Sequence, residues 1–188
     1  MGEIIGWLRT KERRLLLWLN RGPADARLRG VVGRWLSTVT HMGGATFTLA
    51  SSALLVLLGS GSWRLAGVQS LIAVIASHLP VALVKRTMKR LRPYQALEGV
   101  RTGKSPLEDS SFPSGHTTAI FAWTVPLLYA AASGAAFPLA LFAGLVIACS
   151  VGWSRMYLGL HYPSDVGAGA LLGTFTAMLA VVFVGSSI

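Results

Sequence analysis

Three polar islands interrupt an otherwise apolar chain. They are Lys85 with Arg92-Pro93, then Pro113-Ser114-Gly115-His116, then Ser154-Arg155 with His161 and Asp165. Together they carry three cations, two histidines and one carboxylate, groups that are costly to place at a membrane edge unless they pair or bind something. Three converging cations neutralise a phosphate dianion, and arginine adds bidentate geometry. Lys85 and Arg92 are seven residues apart, two turns along one face of a continuing helix, and Arg155 would join them from another helix end. Ser114-Gly115-His116 stands where a loop enters an apolar segment, and the free amides and dipole of a helix start favour an anion. There Gly115 allows close backbone approach, and the Ser114 hydroxyl either donates to a phosphate oxygen or simply caps the helix. His161 and Asp165 are four apart. A carboxylate on one imidazole nitrogen leaves the other as nucleophile or base, although the same pair also serves merely to pin a loop. Two histidines with few loop acids make a poor metal site, so neither metal nor cofactor is expected.

The elements that must position these residues follow from composition. The chain has 188 residues, one domain by length. It is 53% hydrophobic with a mean hydropathy of +0.57, and its 13% charged residues are half of the roughly 25% of a soluble domain. Its apolar residues come in runs long enough to span a bilayer, which needs about 20 residues. An all-α, polytopic membrane helix bundle is expected, with about five spans: 44–59, 65–84, 117–133, 136–153 and 166–184. Residues 1–40 read differently. Leu28, Val31, Val32, Trp35, Leu36 and Val39 keep helical spacing with arginines on other faces, as in a helix lying in the interface plane. The expected organisation is an interfacial segment, 1–40, and a membrane-embedded domain, 41–188. Arg9, Lys11, Arg13 and Arg14 interrupt any signal-peptide pattern, so insertion would use an internal span. Counting crossings places all three islands on the same side, as an active site requires.

Less specific residues have simpler readings. Arg86, Lys89 and Arg90 read as juxtamembrane anchors at the headgroups, and Trp35, Trp63 and Trp153 as an interfacial belt. Cys149, the single cysteine, fills space in an apolar run, and His78 serves helix packing. Gly144, Ala148 and Gly152, and again Gly169 and Gly173, keep the four-residue spacing of small residues that lets helices pack closely in lipid. The net charge of +10 suits anionic headgroups and phosphorylated substrates; no aromatic platform supports nucleic acid. No feature points to a protein partner.

Lys85-x6-Arg92-Pro93, Pro113-Ser114-Gly115-His116 and Ser154-Arg155-x5-His161-x3-Asp165 resemble the three-part signature of the type-2 phosphatidic acid phosphatase superfamily, in order and with complete spacings. The resemblance implies that Lys85, Arg92 and Arg155 bind phosphate oxygens, helped by Ser114 and the Gly115 amide. It implies that His161 attacks phosphorus, oriented by Asp165, and that His116 protonates the leaving oxygen and then activates water, without a metal. The implied activity is hydrolysis of a membrane lipid phosphate or diphosphate. Undecaprenyl pyrophosphate is the leading expectation, followed by phosphatidylglycerophosphate or phosphatidic acid. A soluble sugar-phosphate phosphatase and a non-hydrolytic lipid-phosphate binder or transporter are the alternatives. The family core usually has six spans, and amphipathic residues 1–40 stand in place of the first. All but Arg64 of the 17 Lys and Arg fall on the island side, favouring a cytoplasmic site in the cell membrane. Resemblance to lipid-carrier recycling enzymes implies the outward face, and the sequence leaves both open.

Overall fold

The computed structural model describes residues 2–103 and 106–185, and among these every regular element is helical. Helix α1 (Gly2–Arg21) ends at Gly22, whose φ of +70° suits glycine. Asp25 caps α2 (Ala26–Val39), its side chain accepting the Leu28 amide at 2.8 Å. A 3₁₀ turn (Thr40–Gly43) leads into α3 (Ala45–Leu58), followed by α4 (Gly61–Thr87) and the single turn α5 (Pro93–Ala96). Then come α6 (Gly115–Ala131), α7 (Phe137–Tyr157) and α8 (Pro163–Gly185). Pro163 opens α8 at the position where a missing N–H costs nothing.

Helices α4, α7 and α8 are long and apolar enough to cross a membrane, and α2 with the 3₁₀ turn and α3, bent by 59°, make a fourth candidate if they act as one span. Five spans were expected. The difference lies in α3, whose 14 residues reach only ~21 Å, and in α6, whose 17 residues reach ~25 Å, against a hydrocarbon core of ~30 Å.

Helix α6 sits at the centre, packed against α4, α7 and α8. Its contact with α8 is the closest, and the small residues explain it. A Cβ on Gly169 would stand 2.7 Å from the Ser114 carbonyl oxygen, and one on Gly173 only 2.2 Å from that of Thr118. Gly152 lies against Val166 in the same way, and Gly144 against Thr124 and Leu128. The N-terminal helices bury Leu16, Leu36 and Val39, while Trp7, Trp18, Leu28 and Val31 are exposed. Helix α1 rests on α7 and α8, and α2 on α7. Asn20 ties the end of α1 down, donating to the Tyr157 and Arg101 carbonyls at 2.7 and 2.9 Å and accepting the Arg101 amide.

Cys149 is exposed on α7. Trp153 packs, half-buried, onto the cluster of Leu36, Val39, Ile120, Ala148 and Val151. His78 behaves as a packing residue, its Nδ1 lying 2.7 Å from the Val74 carbonyl one turn back.

Candidate active site

The third island closes around His161, which is buried in the short link between α7 and α8. Its backbone N–H and that of Leu160 donate to the Arg155 carbonyl, fixing the turn. Its Nδ1 lies 2.6 Å from the Ser111 carbonyl oxygen, which can only accept, so Nδ1 carries the proton. Nε2 then presents its lone pair, and the Arg92 Nη1–H donates to it at 3.2 Å. The expected orienting partner, Asp165, stands farther off, with Oδ2 at 3.7 Å from Nδ1. Its oxygens are already taken: Oδ2 accepts the Tyr162 amide and Oδ1 the Arg90 guanidinium, each at 2.7 Å. The helix starts at Pro163, so His161 precedes it and the four-residue spacing does not stack the pair on one helix face. The Ser111 carbonyl is the shorter contact of the ring.

Burial, with the charges of Arg155 and Arg92, pulls the His161 imidazole down from 6.5 to about 4 against the opposing pull of Asp165. Between these values the folded state keeps the ring neutral while the unfolded chain protonates it. Its contribution to stability is therefore present above pH 6.5 and is lost as the pH falls toward 4. Histidine ¹⁵N spectra of the free protein should show His161 in its neutral, Nδ1-protonated form from pH 5 to 8, and a titration near 6.5 would contradict this.

The cations converge, but not as a helix face. Helix α4 ends at Thr87, and Pro93 holds Arg92 in an extended conformation that turns its side chain inward. Lys85 and Arg92 meet at Asp109 instead, donating to its two carboxylate oxygens at 2.6 Å each. Arg92 is fully buried and also bonds the Leu160 carbonyl at 2.9 Å. Partial burial raises the Asp109 carboxyl, but Lys85 and Arg92 outweigh it and hold the group below the ordinary carboxylate value. Arg155 comes from the last turn of α7, with Nη1 donating to Thr40 Oγ1 at 2.9 Å. Its Nε is buried with no hydrogen-bond partner among the described residues, a donor kept for something else.

The second island opens α6. The Ser114 hydroxyl accepts the Thr117 amide and lies 2.9 Å from Thr117 Oγ1, so the capping role expected of it is realised. The Ser114 amide donates to the Asp165 carbonyl at 3.0 Å, joining the second and third islands. A Cβ on Gly115 would meet only Val81, at 3.8 Å, so the space this glycine leaves open is not demanded by the surrounding protein. His116 is within electrostatic reach of Arg155, His161, Lys85 and His41. It lines a groove of about 700 Å³ together with His41, Phe47, Ala50 and Leu54. All eight expected residues thus gather in one region, Asp165 without a short contact to His161. Among the described residues no group of three His, Cys, Asp or Glu side chains comes together to hold a metal ion.

Sequence reasoning missed five contributors. Ser111 acts through its backbone carbonyl and Thr40 comes from 115 residues away, so neither left a sequence signal. Gly43 brings the 3₁₀ turn against α6, where a Cβ would stand 2.8 Å from the His116 carbonyl. Asp109 was legible as an acid shortly before Pro113. Arg90, expected at the headgroups, turns inward to Asp165.

The model of the PAP2 superfamily matches residues 66–188, a stretch that contains all three islands. The chain belongs to the PAP2 superfamily. It is 32% identical to the bacitracin transport permease protein BcrC of Bacillus licheniformis, over 61% of this chain and 54% of that protein. It is 30% identical to an undecaprenyl-diphosphatase of Sulfolobus acidocaldarius, over 63% of this chain and 55% of the relative. The chain thus spans about half the length of the curated relatives it matches. The crystal structure of a transmembrane PAP2-type phosphatidylglycerolphosphate phosphatase from Bacillus subtilis superposes with a TM-score of 0.74. At 22% identity, covering 95% of this chain and 87% of that one, it shares the PAP2 membrane fold.

Proposed function

We propose that this PAP2 chain is a multi-pass cell-membrane enzyme that hydrolyses a lipid phosphate or diphosphate through a phosphohistidine. The observation that carries the reading is the state of His161: Nδ1–H is held by a backbone carbonyl, and the Nε2 lone pair is presented beside Arg92. In the first step Nε2 attacks phosphorus, the bond to the leaving oxygen breaks, and His116 delivers its proton to that oxygen. In the second, His116 takes a proton from water, water oxygen attacks phosphorus, and the P–N bond breaks to give orthophosphate and neutral His161. Arg92, Lys85 and the unpaired Arg155 Nε donate to the non-bridging oxygens, which gain charge during transfer. Asp109 vacates Lys85 and Arg92 as phosphate enters.

The groove beside His116, apolar along α3, supports a lipid rather than a sugar phosphate, because the leaving group at His116 then carries its chain into that groove. Residues 1–40 lie along the interface, with Trp7, Trp18 and Trp35 outward. The likeness to an undecaprenyl-diphosphatase supports undecaprenyl pyrophosphate as the leading substrate. Phosphatidylglycerophosphate and phosphatidic acid follow, the former supported by the shared fold. The test is phosphate release from vesicles carrying each lipid, with EDTA present. Undiminished turnover in EDTA, highest for the diphosphate, is expected. Loss of activity on chelation would overturn the mechanism, a preference for water-soluble sugar phosphates would overturn the lipid assignment, and binding without release would make the chain a binder or transporter.

A further inference from the structure

Helix α1 lies outside the stretch that the family model matches, yet one of its side chains reaches the catalytic region. Glu12 Oε2 accepts the Arg90 Nη2–H at 2.9 Å, and Glu12 Oε1 accepts the Ser164 amide at 2.9 Å and the Ser164 hydroxyl. The Ser164 amide is one of the otherwise unpaired N–H groups in the first turn of α8, so an acid from α1 caps the helix that carries Asp165. Arg90 in turn spends Nη1 on Ser164 Oγ at 2.8 Å and on Asp165 Oδ1 at 2.7 Å, while its guanidinium lies 4.2 Å over the Tyr162 ring. An arginine serving only as a headgroup anchor would point outward. This one is held on four sides, and it grips a fully buried carboxylate.

We propose that Glu12 and Arg90 are positioning residues for the hydrolysis assigned above: Glu12 shares the Arg90 guanidinium with Asp165 and so tempers its hold, and Arg90 holds Asp165 back from His161 Nδ1, setting how strongly that carboxylate favours the protonated ring. Helix α1 is thereby a working part of the site. The inference rests on the phosphohistidine reading, in which a neutral His161 must be available to attack. His161 is faced by Asp165 from α8, Arg155 from α7, Arg92 at the start of α5 and His116 from α6. Tyr162 next to it is faced by Arg90, Asp165 and, from α1, Arg13 and Glu12. Only the Arg90 and Glu12 charges change in the test.

In the full-length protein, Arg90→Gln frees Asp165 to turn onto Nδ1 and removes a nearby cation. Its kcat on vesicle substrate should fall on the order of tenfold or more with KM within about twofold, and the acid limb of its pH profile should move up by on the order of one unit. Glu12→Gln removes the anion that shares Arg90, so its limb should move the other way, and Arg90→Lys should recover part of the lost kcat. Opposite displacements are the signature. Limbs that stay in place while both variants lose thermal stability would make the cluster merely structural, and a raised KM with unchanged kcat would return Arg90 to headgroup binding. Histidine ¹⁵N titration of His161 in the same variants gives the second readout. Opposite shifts there, with no phosphate release from the unmodified protein, would keep the positioning chain and reject the phosphatase. No shift in a turning-over enzyme would do the reverse.

Discussion

Replacing His161 with alanine is expected to reduce turnover by on the order of 10⁶-fold, the loss typical of removing a nucleophile. The size of the effect follows from the surroundings. The Arg92 guanidinium and the Ser111 carbonyl each hold one nitrogen of the imidazole. On the proposed mechanism His116 serves the leaving oxygen and the water, so it does not substitute for the nucleophile. Brief reaction of the unmodified protein with ³²P-labelled substrate followed by denaturation should trap an acid-labile, base-stable phosphoenzyme, absent from His161→Ala. Activity within tenfold of the unmodified protein would remove His161 from the reaction. His161→Gln controls for folding, since its amide can restore the bond to Ser111 without supplying a nucleophile.

The largest effect on the fold is expected at Gly173. A Cβ there would stand 2.2 Å from the Thr118 carbonyl oxygen and 3.0 Å from the Ala122 amide nitrogen, both backbone atoms of α6, so no rotamer change relieves it. Gly173→Val must push α8 from α6, an overpacking cost of about 1–3 kcal/mol or more. One turn toward the site, a Cβ on Gly169 would stand 2.7 Å from the Ser114 carbonyl oxygen, and Ser114 and Asp165 are bonded through their backbones. The displacement therefore reaches the catalytic link. A thermal midpoint lowered by roughly 5–10 °C is expected in detergent, with activity falling alongside it. Gly167→Ala, with nothing within 4 Å of its added Cβ, should leave the midpoint unchanged.

These two positions show which parts of the protein the sequence made legible. The islands could be read because their residue types are expensive in an apolar chain, and His161, His116 and Arg155 do meet. The glycine spacing on α8 could be read because only small side chains permit such close approach. What stayed hidden depends on chain reversals. That α4 stops at Thr87, so that Lys85 and Arg92 meet around Asp109 rather than along a helix, is decided by tertiary pairing. Arg90 has the same composition signal as its neighbours Arg86 and Lys89, and only its position opposite Glu12 and Asp165 sets it apart. Backbone partners such as the Ser111 carbonyl leave no mark in residue type. Hydropathy marked the apolar runs of α3 and α6 but not where a cap or a bend ends them, so their lengths of 14 and 17 residues were not legible.

The Asp109 bridge gives the candidate site a property of its own. Lys85 and Arg92 do not wait as bare charges; each already holds a carboxylate oxygen. On the proposed mechanism, an arriving phosphate would gain only the difference between itself and that resident anion, and a departing phosphate would be replaced rather than torn away. The site would then work as an ion exchanger, with its counter-ion tethered to the chain. Orthophosphate left by one turnover would compete against a partner whose effective concentration never falls, so the cations that draw in the substrate need not trap the product.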